Sequence, residues 1–318
     1  MKARIFLTLL AFLCLHQAWS QSGTTPQGTP MDLVTSTGTI KGTLLLPTSS
    51  KPVKVVLLHA GSGPTDRDGN IGPYQNNSLK MLAEALYAQG IATVRYDKRG
   101  IGESKDAGKK EEDMRFHHFV EDATAWVQKL KADKRFSKVV VLGHSEGSLI
   151  GMQAAQQAKA DGFISVAGPG KSADQVIREQ LMPQPKMVQD IAFPILDSLV
   201  AGKLVPDANP MLQALFRPAI QPYLISWFQL NPQVEIRKLK IPVLLVQGTQ
   251  DMQVSTAEAQ LLKEAYPAAK LVLVENMNHV LKPASADKAA NLATYSNPEL
   301  ALSPTLAQEV TAFVKGLK

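Results

Sequence analysis

Residues 141–151 read VLGHSEGSLIG, and one serine, Ser145, stands between Gly143 and Gly147 directly behind a β-branched run. With "KVVVL" before it and "LIGMQAAQQA" after it, the Gly-x-Ser-x-Gly spacing predicts a strand, a sharp turn and a helix. Such a turn holds the serine in a strained backbone conformation and projects its hydroxyl above the sheet edge. Side chains at 143 and 147 would collide with the neighbouring strand and helix. The following helix N-terminus favours negative charge developing beside Ser145. The chemistry this suits is nucleophilic attack by a hydroxyl.

A serine hydroxyl is a weak nucleophile until a base takes its proton. Beyond the N-terminal segment the histidines are His59, His117, His118, His144 and His279. His144 is next to the nucleophile but points the wrong way from the turn. His117 and His118 sit near the start of a surface helix. His279, in "VENMNHVLK", follows the last predicted strand on a loop, where a base at the sheet edge is expected. The base in turn needs an acid to fix its tautomer and stabilise the imidazolium. Asp251, in "VLLVQGTQDMQV", lies just after the preceding strand and is assigned that role; it also suits an Asx turn or a cap for a helix near Thr256.

Acyl transfer further needs donors for a tetrahedral oxyanion. The expected pair is the backbone N–H of Glu146 and that of Gly61, with Ser62 as the fallback, in the loop "AGSGPTDRDGN" after "VVLLH". His59 is read as orienting this loop. Within "TDRDGN", either Asp66, Arg67 and Asp68 pair internally and stiffen the loop, or Arg67 meets a substrate carboxylate; stiffening is favoured. "YDKRGIGES", 96–104, reads as a tight scaffold turn in which Asp97 and Arg99 bond neighbouring backbone.

The elements that must position these residues follow from hydropathy pattern. "MDLVTSTGTIKGTLLLP" reads as an antiparallel hairpin turning near "STG". "VKVVLLH", "IATVRYD", "KVVVLGH", "GFISVAG", "PVLLVQG" and "LVLVEN" read as strands. "SLKMLAEALYAQG", "FVEDATAWVQKLKAD", "EGSLIGMQAAQQAKA" and "TLAQEVTAFVKGL" read as helices. Strands alternating with helices imply parallel βαβ units, and near-continuous Val/Ile/Leu runs imply strands covered on both faces. The rhythm breaks at 169–232, a Pro- and Met-rich helical stretch read as a lid inserted over the C-terminal edge of the sheet. The core is then 21–168 and 233–318. Met182 and Trp227, with Met187, Met211 and Phe228, are candidates to line a substrate pocket in that lid.

Residues 1–20 read as a secretory leader: a basic start, the apolar "IFLTLLAFLCL", then "HQAWS" with a cut after Ser20. That run is too short to span a bilayer comfortably, so no stable membrane insertion is expected. Export to the periplasm or the exterior follows. The single cysteine, Cys14, lies in the leader, so the mature chain has no disulfide or thiol chemistry. The formal net charge of +6 includes Lys2 and Arg4 of the leader, and the remaining excess is spread along the chain. No basic stripe interleaved with aromatics marks a nucleic-acid partner. The sequence carries no P-loop, no GxGxxG and no spaced metal-ligand set, so neither a cofactor nor a metal is expected.

Together, "HAGSGPTDRDGN", "YDKRGIGES", "GHSEG" and "NMNHVL" resemble the α/β-hydrolase superfamily, and within it a bacterial esterase-like group related to the serine aminopeptidase-like branch. The resemblance covers nearly all of the chain after the leader. The order Ser145, Asp251, His279 is the one this fold uses, and "DMQV" resembles its Asp-x-x-Val segment. Alanine at position 60 departs from the glycine of many relatives. The fold implied is a mostly parallel twisted sheet flanked by helices. The activity implied is a carboxylesterase working through an acyl-enzyme on small-molecule esters of short to medium acyl length. An exported peptidase, an acyltransferase or thioesterase with the same triad, and a non-catalytic binding protein are the alternatives.

Overall fold

The computed structural model describes residues 27–318; the leader expected at 1–20 lies outside them. The strands are β1 (Thr29–Thr35), β2 (Gly38–Leu45), β3 (Val53–His59), β4 (Ala92–Tyr96), β5 (Phe136–His144), β6 (Gly162–Val166), β7 (Val243–Gly248) and β8 (Lys270–Val274). They form one eight-stranded sheet in the order β1-β2-β4-β3-β5-β6-β7-β8. β1 pairs antiparallel with β2, and β2 antiparallel with β4; every later pairing is parallel. The expected hairpin and the expected parallel strands are therefore present, each within a few residues of its predicted bounds.

The sheet is covered on both faces because its central strands are apolar on both. Val55 and Leu57 of β3, with Val139 and Val141 of β5, join one core. Val56 and Leu58, with Val140 and Leu142, join the other. The alternation is the two-residue period of a strand, with no polar face left for water. Helix α1 (Ser78–Ala88) lies on the second core. Helices α2 (Phe116–Ala132) and α3 (Glu146–Gln157) lie on the first, where Trp126 is wholly buried.

Between β6 and β7 the chain forms α4 (Ala173–Leu181), α5 (Lys186–Val200), α6 (Gln213–Phe216), α7 (Gln221–Phe228) and α8 (Pro232–Arg237). Helix α8 begins at the last residue of the expected insertion and packs on α3. The chain closes with α9 (Thr256–Ala265), α10 (Lys288–Ala293) and α11 (Pro304–Gly316), the last seated on the second core with α1. No helix among the described residues is long and apolar enough to cross a membrane.

The topology itself locates a crevice. From β3 the chain steps to β4 on one side and then returns to β5 on the other. The loops leaving the carboxyl ends of β3 and β5 therefore diverge, and open sheets of this kind bind ligands at that point. Residues 60–64 and Ser145 leave the sheet there.

The "YDKRGIGES" turn is fixed partly as expected. Asp97 accepts backbone N–H bonds from Arg67 at 2.7 Å and Glu103 at 2.9 Å. Arg99 instead reaches α2, where Nε bonds Asp122 Oδ2 at 2.6 Å and Nη2 bonds Oδ1, both side chains being buried. Arg99 also donates to Thr37 Oγ1 of the hairpin turn at 3.2 Å. Burial pushes the Asp122 carboxyl up, and the guanidinium opposes it. Removing one partner of a buried pair strands the other's charge, at about 3–5 kcal/mol. Asp122→Ala is accordingly expected to lower the urea-unfolding free energy by about 3–5 kcal/mol; a loss under about 1 kcal/mol would contradict a buried ionic bond.

Candidate active site

Ser145 leaves β5 with φ 56 and ψ −126, a conformation that L residues resist, at about 1–3 kcal/mol. The flanking glycines are there for space. A Cβ at Gly143 would overlap the Gly147 carbonyl, and one at Gly147 would sit 2.5 Å from the Ala60 carbonyl oxygen. Helix α3 therefore starts in direct backbone contact with the end of β3. Ser145 N donates to Val166 O of β6 at 3.0 Å, which pins the turn to the neighbouring strand. The Ser145 hydroxyl lines the main cavity and has no hydrogen-bond partner among the described residues.

Asp251 and His279 meet as expected. His279 Nδ1 donates to Asp251 Oδ2 at 2.8 Å, which leaves Nε2 as the free acceptor. Asp251 Oδ1 accepts N–H bonds from Gln253 at 2.8 Å and Val254 at 2.9 Å, so the carboxylate also closes the Asx turn that the sequence offered as another reading, while the cap position of α9 falls to Ser255. Gln247 Nε2 adds a third donor, 3.0 Å from Oδ2. Burial pushes the Asp251 carboxyl up, but His279 and the two backbone donors outweigh it and hold it below the usual carboxylate range. The loop carrying His279 is fastened by Asn278, whose amide bonds Asn291 Oδ1 at 2.9 Å and Thr294 Oγ1 at 2.6 Å.

Ser145 and His279 are joined through His144. His144 Nε2 bonds the His279 carbonyl at 2.8 Å, and the two imidazoles stand 4.8 Å apart. The residue next to the serine thus holds the backbone of the histidine. Sequence reasoning set His144 aside on orientation; its partner is 135 residues away, and no local signal announces it.

On the other side of Ser145 lies the turn after β3. A Cβ placed on Gly61 would sit 3.1 Å from the Ser145 Cβ, so that backbone adjoins Ser145. Glu146 is the first residue of α3, and its backbone N–H is unclaimed within the helix. Its buried carboxylate accepts the Tyr223 hydroxyl of α7, and burial raises its affinity for a proton. His59 is wholly buried and its Nδ1 contacts the Tyr96 hydroxyl, behind the loop it was expected to orient. Arg67 stiffens the loop by leaving it: Nη2 bonds Asp97 Oδ2 at 2.7 Å and Glu103, while Nη1 reaches Thr43 Oγ1 at 3.0 Å. Asp68 pairs with Arg95. The ion pairs are external to the segment, not internal to it.

The cavity beside Ser145 has a volume of about 590 Å³. Leu149, Ile177, Leu215, Leu224 and Trp227 give it apolar walls, mostly from α4 to α7, and Ser62 lies at its rim. Met182 does not line it. That side chain caps α4 and is 58% exposed, because it falls off the face that α4 buries with Ala173 and Ile177. Met187 and Met211 are equally exposed, and Phe228 is buried in the core. Among the described residues no group of three or more His, Cys, Asp or Glu is arranged to hold a metal.

The crevice, the strained serine and the Asp–His pair define a molecule of the α/β-hydrolase kind, and the comparisons agree. The chain has the α/β-hydrolase fold. Residues 75–216 match the family described as serine aminopeptidase, S33. Esterase EstD of Thermotoga maritima is 31% identical over 255 residues, 76% of this chain. The chain spans 58% of the length of that relative. The α/β hydrolase GrgF from Penicillium sp. sh18 superposes with a TM-score of 0.61 at 18% identity, over 92% of this chain and 99% of that one. Est1E from Butyrivibrio proteoclasticus gives 0.58 at 17%, over 91% and 100%.

The two buried imidazoles make the fold sensitive to acid. Burial lowers both His59 and His144 from 6.5 to about 3, with Lys98 adding to the effect at His59 and His279 at His144. Unfolded, each titrates near its ordinary value. Below pH 6.5 the unfolded chain binds protons that the folded one refuses, so stability falls as pH falls toward 3. Each group contributes a slope of up to about 1.4 kcal/mol per pH unit. Urea unfolding between pH 7.5 and 4.5 should cost the wild type about 2 kcal/mol more than His144→Gln; parallel curves would refute the assignment.

Proposed function

We propose that the protein is a serine hydrolase working through an acyl-enzyme, and specifically a carboxylesterase for small esters of short to medium acyl length. His279 Nε2 takes the Ser145 proton as Oγ attacks the ester carbonyl carbon. The N–H groups of Gly61 and Glu146 hold the resulting oxyanion. The intermediate collapses as the His279 Nε2–H protonates the departing alcohol. Water, deprotonated by His279, then attacks the acyl carbon, and the acid leaves with Ser145 restored. Asp251 keeps the proton on Nδ1 throughout and offsets the imidazolium charge.

One observation carries this reading: the 2.8 Å bond from His279 to Asp251, on a loop whose backbone is held by the residue preceding the strained Ser145. The name of the EstD relative supports an ester substrate. The apolar walls support an acyl chain, and the volume is in the range of small-molecule sites. Peptidase action on a free N-terminus would call for an uncommitted carboxylate. The two carboxylates lining the cavity, Glu111 and Glu146, are engaged by Arg217 and Tyr223, which favours the ester. In this reading 169–232 serves as a lid, and the enzyme is exported on the strength of residues 1–20 alone.

A fluorophosphonate probe tests the nucleophile. Labelling is expected in the wild type and absent in Ser145→Ala, and Asp251→Asn is expected to lower kcat by about 10⁴-fold. On p-nitrophenyl esters from acetate to octanoate, kcat/KM should exceed that on aminoacyl anilides. Folded protein that neither labels nor hydrolyses any ester would overturn the proposal.

A further inference from the structure

The turn expected to supply the second oxyanion donor is ill suited to hold its own shape. Gly61, Ser62, Gly63 and Pro64 follow one another, the last three are exposed, and Gly63 has φ +66. Glycine-rich backbone of this kind has many conformations to lose. An oxyanion hole, in contrast, is effective only when its donors are aimed before the reaction begins.

The aim comes from elsewhere in the chain. The Lys98 ammonium donates to the carbonyl of Gly61 and, at 2.9 Å, to that of Gly63. Thr65 Oγ1 donates to the carbonyl between them, Ser62 O, at 2.7 Å. Three consecutive carbonyls are claimed by two side chains, so three consecutive peptide planes are fixed. A claimed carbonyl is not free to rotate toward Ser145, where its negative end would repel an oxyanion. Lys98 is itself well held: it is 2% exposed, lines the cavity, and stands 5.7 Å over the Phe119 ring. The carboxylate of Glu146, whose N–H is the other expected donor, faces it and favours its charged form against burial.

Resting on the serine-hydrolase reading above, we propose that Lys98 is a positioning residue that preorganises the oxyanion turn, with Thr65 as its partner. Its effect falls chiefly on the transition state, because it fixes the turn through the carbonyls of Gly61 and Gly63 and so aims the N–H that the oxyanion needs.

Lys98→Met and Thr65→Val are the test, each measured for kcat, KM and inhibition by an aliphatic trifluoromethyl ketone, whose hemiketal with Ser145 mimics the tetrahedral intermediate. Lys98→Met is expected to lower kcat about 10–100-fold, less than the roughly 10²–10³-fold of an oxyanion donor removed outright, because the donor stays and only its aim is lost. KM should stay within about twofold, and the ketone's Ki should rise by the same factor as kcat falls. Thr65→Val should do the same on a scale of about 3–10-fold. Lys98→Arg, which keeps charge and donors, should recover part of kcat. If Lys98→Met does not fold, Thr65→Val decides by the same readouts. Wild-type kcat in a folded variant, or a fall in kcat without weaker ketone binding, overturns the proposal. Absence of Ser145-dependent activity in the wild type would instead sink the serine-hydrolase reading.

Discussion

A hydroxyl can stand clear at the end of a buried strand only where the chain turns more sharply than side chains normally allow. At Ser145 that condition is met by subtraction. With no Cβ at 143 or 147, α3 starts against the end of β3, and the backbone between strand and helix closes in one residue. The strain of about 1–3 kcal/mol is small beside the burial of β5 and α3 on the first core. The same close approach sets the site's other dimension. Because α3 begins in contact with Ala60 and His59, the backbone of residue 61 necessarily lies beside the serine. Ser145 and the turn beside it share one packing constraint.

Polar groups crowd that edge of the sheet, and four pairs of them meet there. Arg67 meets Asp97, Asp68 meets Arg95, Arg99 meets Asp122, and His59 meets Tyr96. The first three join the loop after β3 or the turn after β4 to a different element, and the fourth ties the ends of β3 and β4 together. An unmatched group here would forfeit its desolvation cost, so loops of low intrinsic order become a rigid rim. Scattered ion pairs on the surface would not have this effect, being screened and entropically costly.

The fold was legible because the physics that makes it is local. Two-residue alternation, glycine stops and β-branched runs mark the strands of 53–59 and 138–144 without reference to their neighbours. The triad candidates were legible for a related reason: Ser145, Asp251 and His279 each follow a strand that pattern alone reveals. What escaped is non-local. Lys98 sits in a motif read as scaffold, and its acceptors are carbonyls 35 and 37 residues away. Backbone acceptors leave no trace in residue type. His144 binds a carbonyl 135 residues on. Met182 lies outside the cavity because the helical period gives a face but not which face the cavity occupies, and α4 turns that residue outward.

Tyr223 connects the helical segment to the edge of the sheet that carries Ser145. It comes from α7, in the segment between β6 and β7, and its hydroxyl ends on the carboxylate of Glu146. Glu146 follows Ser145 and starts α3, so a contact on its side chain bears on where the first N–H of that helix points. The same carboxylate faces Lys98, which holds the turn opposite. The helices that shape the cavity and the two backbone segments proposed to receive the oxyanion are therefore linked through one buried acid. Displacing α7 would remove a donor from that buried acid, where an unpaired carboxylate is costly.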